Sequence, residues 1–183
     1  MAKTAKQLRY LRARPEDYPA ILEIAEPFYP DVNNHDGQKG FLDRRFSAPM
    51  LDAINTRLGL LVAKDENHVV LGFLGLSPFS FDSPSPVVEA MVKALQPCSA
   101  LAPFIFGPVC VAENAGGLGI FKGLYAAMWR FLPASEYQTG FAFINEGNQR
   151  SLNAHLIGLG ATKVGSFLFD GERYITVSYA RPK

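Results

Sequence analysis

Gly116, Gly117 and Gly119 stand between the apolar run "PFIFGPVCV" (103–111) and an amphipathic run that closes at Pro133. A strand that turns sharply into a helix leaves the first main-chain N–H groups of that helix unpaired and aimed at one spot. With the positive end of the helix dipole, such a corner attracts anions, and glycines let a phosphate approach the backbone without Cβ atoms in the way. A tight turn that only packs closely is the plain alternative. A dinucleotide site is a third: "GLGIFKG" reads G-x-G-x-x-x-G, one residue off the nicotinamide fingerprint, with Glu146 near the place of its ribose acid. That site needs a doubly wound sheet. Only one crossover unit surrounds the motif here, and the remaining chain ends in an antiparallel hairpin.

The elements that must position this corner follow from hydrophobic period and breakers. Residues 8–13 read as a short strand. The helix after it carries Ile21, Ile24, Ala25 and Phe28 at helical spacing, with Pro15, Glu16 and Asp17 in its first turn and Pro27 at its end. Residues 31–57 give a second helical region entered through a polar loop. Two β-rich runs within 57–79 flank Asp65, Glu66, Asn67 and His68, which predicts an antiparallel hairpin. Val87, Val88, Met91 and Leu95 predict a short helix within 82–102, and 103–111 is a buried strand by composition. A helix over 117–132 follows, with Lys122, Ala126 and Arg130 as a polar stripe and Phe121, Leu124, Met128 and Leu132 toward a core. "TGFAFINEGN" is a strand, "QRSLNAHLIGLG" a shorter helix, and the chain closes on a hairpin turned at Asp170 and Gly171. The expectation is one domain over 1–183, mixed α/β (α+β), with a mostly antiparallel twisted sheet flanked by helices.

Bulk properties restrict the partners. A chain of 183 residues with 48% hydrophobic content suffices for one core. Net charge is +1 with both signs interspersed, so neither a nucleic-acid backbone nor an anionic membrane finds an electrostatic footprint. Cys98 and Cys110 have no CxxC partner and there are three histidines, which gives no zinc set of ordinary spacing and no metal cofactor. No apolar stretch approaches the ~20 residues that span a bilayer, and "MAKTAKQLRYLRAR" lacks the apolar core of a signal peptide. A soluble, cytoplasmic protein with free thiols is expected.

Three strings add a resemblance. "RARPEDYPAILEIA" is similar to the opening strand and helix of the GCN5-related N-acetyltransferases, "VAENAGGLGIFKGL" to their acetyl-CoA pyrophosphate loop, and "NQRSLNAHLIGLGATKVG" to their closing Asn…Ser/Ala…Tyr…Leu-Gly element. The order of elements resembles that family over nearly all of the chain. The resemblance implies an acyl-CoA N-acyltransferase-like fold, acetyl-CoA as cosubstrate, and acetyl transfer by direct attack of a primary amine on the thioester. The family's loop usually runs Arg/Gln-x-x-Gly-x-Gly/Ala; here Gly116 opens it, Gly119 is the central glycine and Phe121 closes it. The cationic or amide side chain is missing. Backbone donors of Gly117, Leu118, Gly119, Ile120 and Phe121 remain, since they do not depend on side-chain identity.

The resemblance also assigns roles. The edge formed by Val109, Cys110 and Val111 would pair with the pantetheine arm, and a main-chain N–H near Val111 would stabilise the oxyanion. His155 stands where the family has a Tyr that protonates the departing thiolate, and its distance to Gly160 is one residue longer than usual. Glu113 is the candidate general base or water-holder. Asn148 and Ser151 would contact the cofactor arm or cap the short helix. Cys110 as a nucleophile with His155 as its base is a further alternative, against which a buried strand thiol is ordinarily inert. The acceptor, a small-molecule or peptide amine, would lie over 30–55 and 82–102 beside Phe79, Phe81 and Phe104, and a homodimer stays open. Loss of the loop Arg/Gln and of the Tyr motivates a second reading, a catalytically weak domain that binds acyl-CoA or a protein partner as sensor or scaffold.

Overall fold

Asp65 explains the first hairpin. Its Oδ1 accepts the N–H groups of Asn67 and Val69, each at 3.0 Å, and so turns β2 (Gly59–Lys64) back into β3 (Val70–Pro78). The computed structural model describes residues 7–29, 42, 44–79, 85–95 and 102–183. Around the hairpin lie β1 (Arg9–Arg12) on one side and β4 (Pro103–Val111) on the other, both antiparallel to their neighbours. β5 (Thr139–Asn145), β6 (Thr162–Phe169) and β7 (Glu172–Ala180) complete a seven-stranded sheet in the order β1-β2-β3-β4-β5-β7-β6. Among the described residues only β4 and β5 run parallel, because a helix crosses between them. The mixed, mostly antiparallel sheet is the architecture expected.

Helices cover both faces. α1 (Tyr18–Ala25) and α2 (Ala48–Arg57) lie on one face, where Ile21, Ile24 and Leu51 meet Leu60, Val62 and Phe73. α4 (Ile120–Phe131) lies on the other, where Ile120, Leu124 and Met128 meet Leu61, Leu74 and Leu76. Leu60 and Val62 thus face one layer while Leu61 and Ala63 face the other, which is why β2 is apolar throughout and does not alternate. Each such fully buried Leu or Ile contributes on the order of 2 kcal/mol. α3 (Pro86–Ala94) packs Val87, Met91 and Val92 against Ile105, Phe141 and Phe167. α5 (Gln149–Asn153) precedes the last hairpin.

Several boundaries move. α4 starts at Ile120 rather than 117, because Gly117 and Gly119 adopt φ of +80° and +73°, which an α-helix does not admit. The helix expected within 31–57 is Ala48–Arg57, and that within 82–102 is Pro86–Ala94; 30–41, 43, 80–84 and 96–101 lie outside the described residues, Phe81 and Cys98 among them. The polar stripe Lys122, Ala126 and Arg130 is exposed as expected.

The far end of α4 is closed by Arg181. Its Nη1 donates to Trp129 O and its Nη2 to Leu132 O, each at 2.7 Å, its Nε donates to Tyr137 O at 3.0 Å, and its guanidinium lies 4.8 Å over the Trp129 ring.

Candidate functional site

β5 treats its two neighbours unequally. Against β7 it pairs along its whole length, from Thr139 opposite Ala180 to Asn145 opposite Tyr174. Against β4 it pairs only through Pro103, Phe104 and Ile105, after which the strands part and 106–111 have no partner on that side. A cleft of about 390 Å³ opens there, walled by Phe106, Val109 and Cys110 of β4, by Ala142, Ile144 and Asn145 of β5, by Asn148, Ser151 and His155 beyond it, and by Met50, Ile54 and Arg57 of α2.

The free edge of β4 has a defined polarity. Ala112 N–H donates to Leu71 O at 2.9 Å, toward β3. By the two-residue period of a strand, the main-chain groups of Val111 and Val109 point the opposite way, into the gap that β5 leaves. Side chains alternate in step: Val109 and Val111 lean on the α4 layer while Cys110 enters the α1/α2 layer. Cys110 is buried, and burial pushes its thiol far above the ordinary range, so no thiolate forms there near neutral pH. That leaves the nucleophile alternative without its reactive species.

The glycine turn lies past the end of β4, outside the lining of the cleft. Gly116 to Gly119 are exposed, and a Cβ on Gly117 or Gly119 would meet nothing within 4 Å. Gly119 is the N-cap of α4 and brings no side chain to it. Among the described residues no side chain caps the leading N–H groups, those of Ile120, Phe121 and Lys122, and Gly117 and Gly119 leave the corner open. Leu118 is exposed and Ile120 buried. Phe121 turns inward, its ring 5.0 Å from that of His155 and 6.4 Å from that of Phe106, so its bulk is taken up by the core and not laid over the donors.

His155 is the second residue of a wide turn, Ala154–Gly158, in which Leu159 N–H reaches back five residues to Ala154 O at 3.1 Å. This π-type turn absorbs the additional residue before Gly160 and keeps the imidazole facing inward. The ring is 5% exposed, lies edge-on to Phe106 at 5.7 Å, and hydrogen-bonds through Nδ1 with the hydroxyl of Tyr179. Burial lowers its pKa to about 4, so the ring is neutral near neutral pH. Tyr179 was not visible in the sequence as a partner. Alternation along β7 places it with Ile175 and Val177 on the α4 layer, but nothing local links it to a residue 24 positions earlier.

Asn148 Oδ1 accepts the N–H of Ser151 at 3.1 Å, so the helix-capping role is realised while both residues still line the cleft. Glu113 is exposed in a short 3₁₀ turn after β4, and the cleft wall does not include it. The charged side chains among the described residues of the wall are Arg44 and Arg57, with no carboxylate. Among the described residues no cluster of His, Cys, Asp and Glu could hold a metal, and no helix is long and apolar enough to cross a membrane.

The sequence matches no protein-family model and no curated protein. The structure is similar to many solved ones. An N-acetyltransferase from Staphylococcus aureus Mu50 shares 19% identity with a TM-score of 0.64, over 96% of this chain and 99% of that one. The ribosomal-protein-alanine N-acetyltransferase from Brucella melitensis shares 20% with a TM-score of 0.64, over 94% and 99%. A GNAT superfamily phosphinothricin acetyltransferase from Sinorhizobium meliloti, in complex with AcCoA, shares 17% with a TM-score of 0.65, over 97% and 89%. Identities this low speak for architecture and leave the reaction to be argued from the site. The chain has the fold of the GCN5-related N-acetyltransferases.

Proposed function

We propose that this chain transfers an acetyl group from acetyl-CoA to a primary amine of a small molecule or peptide. The observation that carries the reading is the unpaired edge of β4, open from Phe106 to Val111 and leading to an uncapped helix start built of glycines. A main-chain edge suits the amides of a pantetheine arm, and the donors of 117–121 suit a diphosphate. Gly117 and Gly119 leave the approach clear, which is the fit such a group requires.

Acetyl-CoA, when bound, supplies the thioester that the amine attacks. The chain's own groups supply the rest. The N–H of Val111 faces the gap and is the donor for the developing oxyanion. Asn148 and Ser151 hold the arm from the opposite wall. His155, neutral, offers a hydrogen bond to the departing sulfur and not a cationic acid. The proton of the amine leaves through water toward the exposed carboxylate of Glu113. Arg57, on the α2 side of the wall, favours an acceptor with an apolar body and an anionic group over a polycation.

Calorimetry with acetyl-CoA, followed by thiol release over a panel of amines that includes hydrophobic amino acids and polyamines, tests this. Binding with turnover of an anionic amine is expected; absence of acetyl-CoA binding overturns it. Gly116 in place of a cationic or amide side chain favours a second reading, an acyl-CoA sensor or scaffold, which binding without turnover would support.

A further inference from the structure

We propose that Tyr179 is a positioning residue that fixes the tautomer of His155: its hydroxyl donates to Nδ1, the imidazole proton resides on Nε2, and that N–H is presented to the cleft. The proposal's consequence for turnover rests on the acetyl-transfer reading; the tautomer itself does not.

Burial decides the direction of the bond. Tyr179 is 2% exposed, enclosed by the rings of Phe106 at 4.9 Å and Tyr125 at 5.7 Å, and among the described residues His155 Nδ1 is the one partner its hydroxyl has. A phenol has one proton to give. Were Nδ1 the protonated nitrogen, it would donate to the phenol oxygen and the phenol's own proton would be left buried without an acceptor. Were the phenol ionised instead, it would oppose the burial that holds its pKa well above the ordinary value. The cost of an orphaned donor corresponds to a preference on the order of tenfold for the arrangement in which the phenol donates.

The other nitrogen has a different situation. Among the described residues, Trp129 Nε1 is the one buried side-chain nitrogen or oxygen without a partner. Nε2 of His155 also has no partner among the described residues and yet is not among the buried atoms, so it is not shut in, and His155 lines the cleft where Tyr179 does not. Phe106 and Phe121 stand edge-on to the imidazole at 5.7 and 5.0 Å and oppose a ring flip that would exchange the two nitrogens. Tyr179 therefore acts from behind: it leaves the neutral ring with a donor, not a lone pair, toward the place of the departing sulfur.

The test is two-bond ¹H–¹⁵N correlation of the histidine rings in the full chain at pH 7, with His155→Gln to assign the signal. An unprotonated, hydrogen-bonded Nδ1 and a protonated Nε2 are expected in the parent. Tyr179→Phe keeps the ring shape and removes the donor; it should give a mixture of tautomers and a fall in kcat for thiol release that matches the fraction of Nε2–H lost, about twofold for an equal mixture, with KM for acetyl-CoA unchanged. Adding Tyr179→Phe to His155→Gln should cost nothing further. A protonated Nδ1 in the parent, or an unchanged tautomer in Tyr179→Phe, overturns the proposal, and the parent spectrum decides alone if the variant does not fold. If the spectra agree but His155→Gln turns over like the parent, the tautomer stands and the sulfur-donor reading fails.

Discussion

The two sides of β5 differ in where the main chain finds its partners. Toward β7 the ladder is complete and the adjoining short helix is capped by its own Asn148. Toward β4 the ladder stops after three pairs, and the helix that follows begins on a glycine without a cap. Polar groups satisfied from within hold a fold together, whereas donors left at an accessible corner are available to a ligand. Substitutions on the closed side should therefore cost stability, and those on the open side binding.

The largest effect is expected at Gly119. At its φ of +73°, Asp and Asn are among the better tolerated residues, so Gly119→Asp should fold with little loss while setting a carboxylate against the diphosphate. At about 4 kcal/mol for like charges near 4 Å, acetyl-CoA affinity should fall by roughly a thousandfold. Gly119→Asn isolates the strain from the charge and should bind far better than the Asp variant; equal calorimetric losses would break the contrast.

His155 comes next. Its pKa of about 4 lies below the unfolded value of 6.5, so between the two the unfolded chain binds a proton that the folded one refuses. Stability unaffected above pH 6.5 should then decline as pH falls toward 4, by about 3 kcal/mol in all. Urea midpoints from pH 7 to pH 4 should fall less steeply in His155→Gln than in the parent. Parallel curves would show that the ring is not held neutral.

The smallest effect is at Asn148. Removing its cap with Asn148→Ala should lower stability by about 1 kcal/mol by urea unfolding. An accompanying loss of acetyl-CoA affinity beyond tenfold would place Asn148 on the ligand as well as on its helix.

Local pattern carried the reading where local forces decide the structure. The strand at 103–111 and the amphipathic face of α4 were legible because burial imposes a period on Phe104, Leu124 and Met128 that no turn disturbs. The start of α4 was misplaced by three residues, since the left-handed φ of two glycines is a conformation and not a composition. How far β4 and β5 stay together was not legible at all: both strands are apolar beyond their last pair, and separation depends on what lies across the sheet. The bond between His155 and Tyr179 escaped for the same reason, although the unusual spacing before Gly160 already marked the turn that carries the imidazole.

Arg181 gives α4 unequal poles. Arg181 is a permanent cation at the negative end, binding the last carbonyls and covering Trp129, whereas the first turn of α4 holds no acidic residue and no side-chain cap among the described residues. On the proposed reading, a diphosphate at the start of α4 would supply there the counter-charge that Arg181 already supplies at its far end.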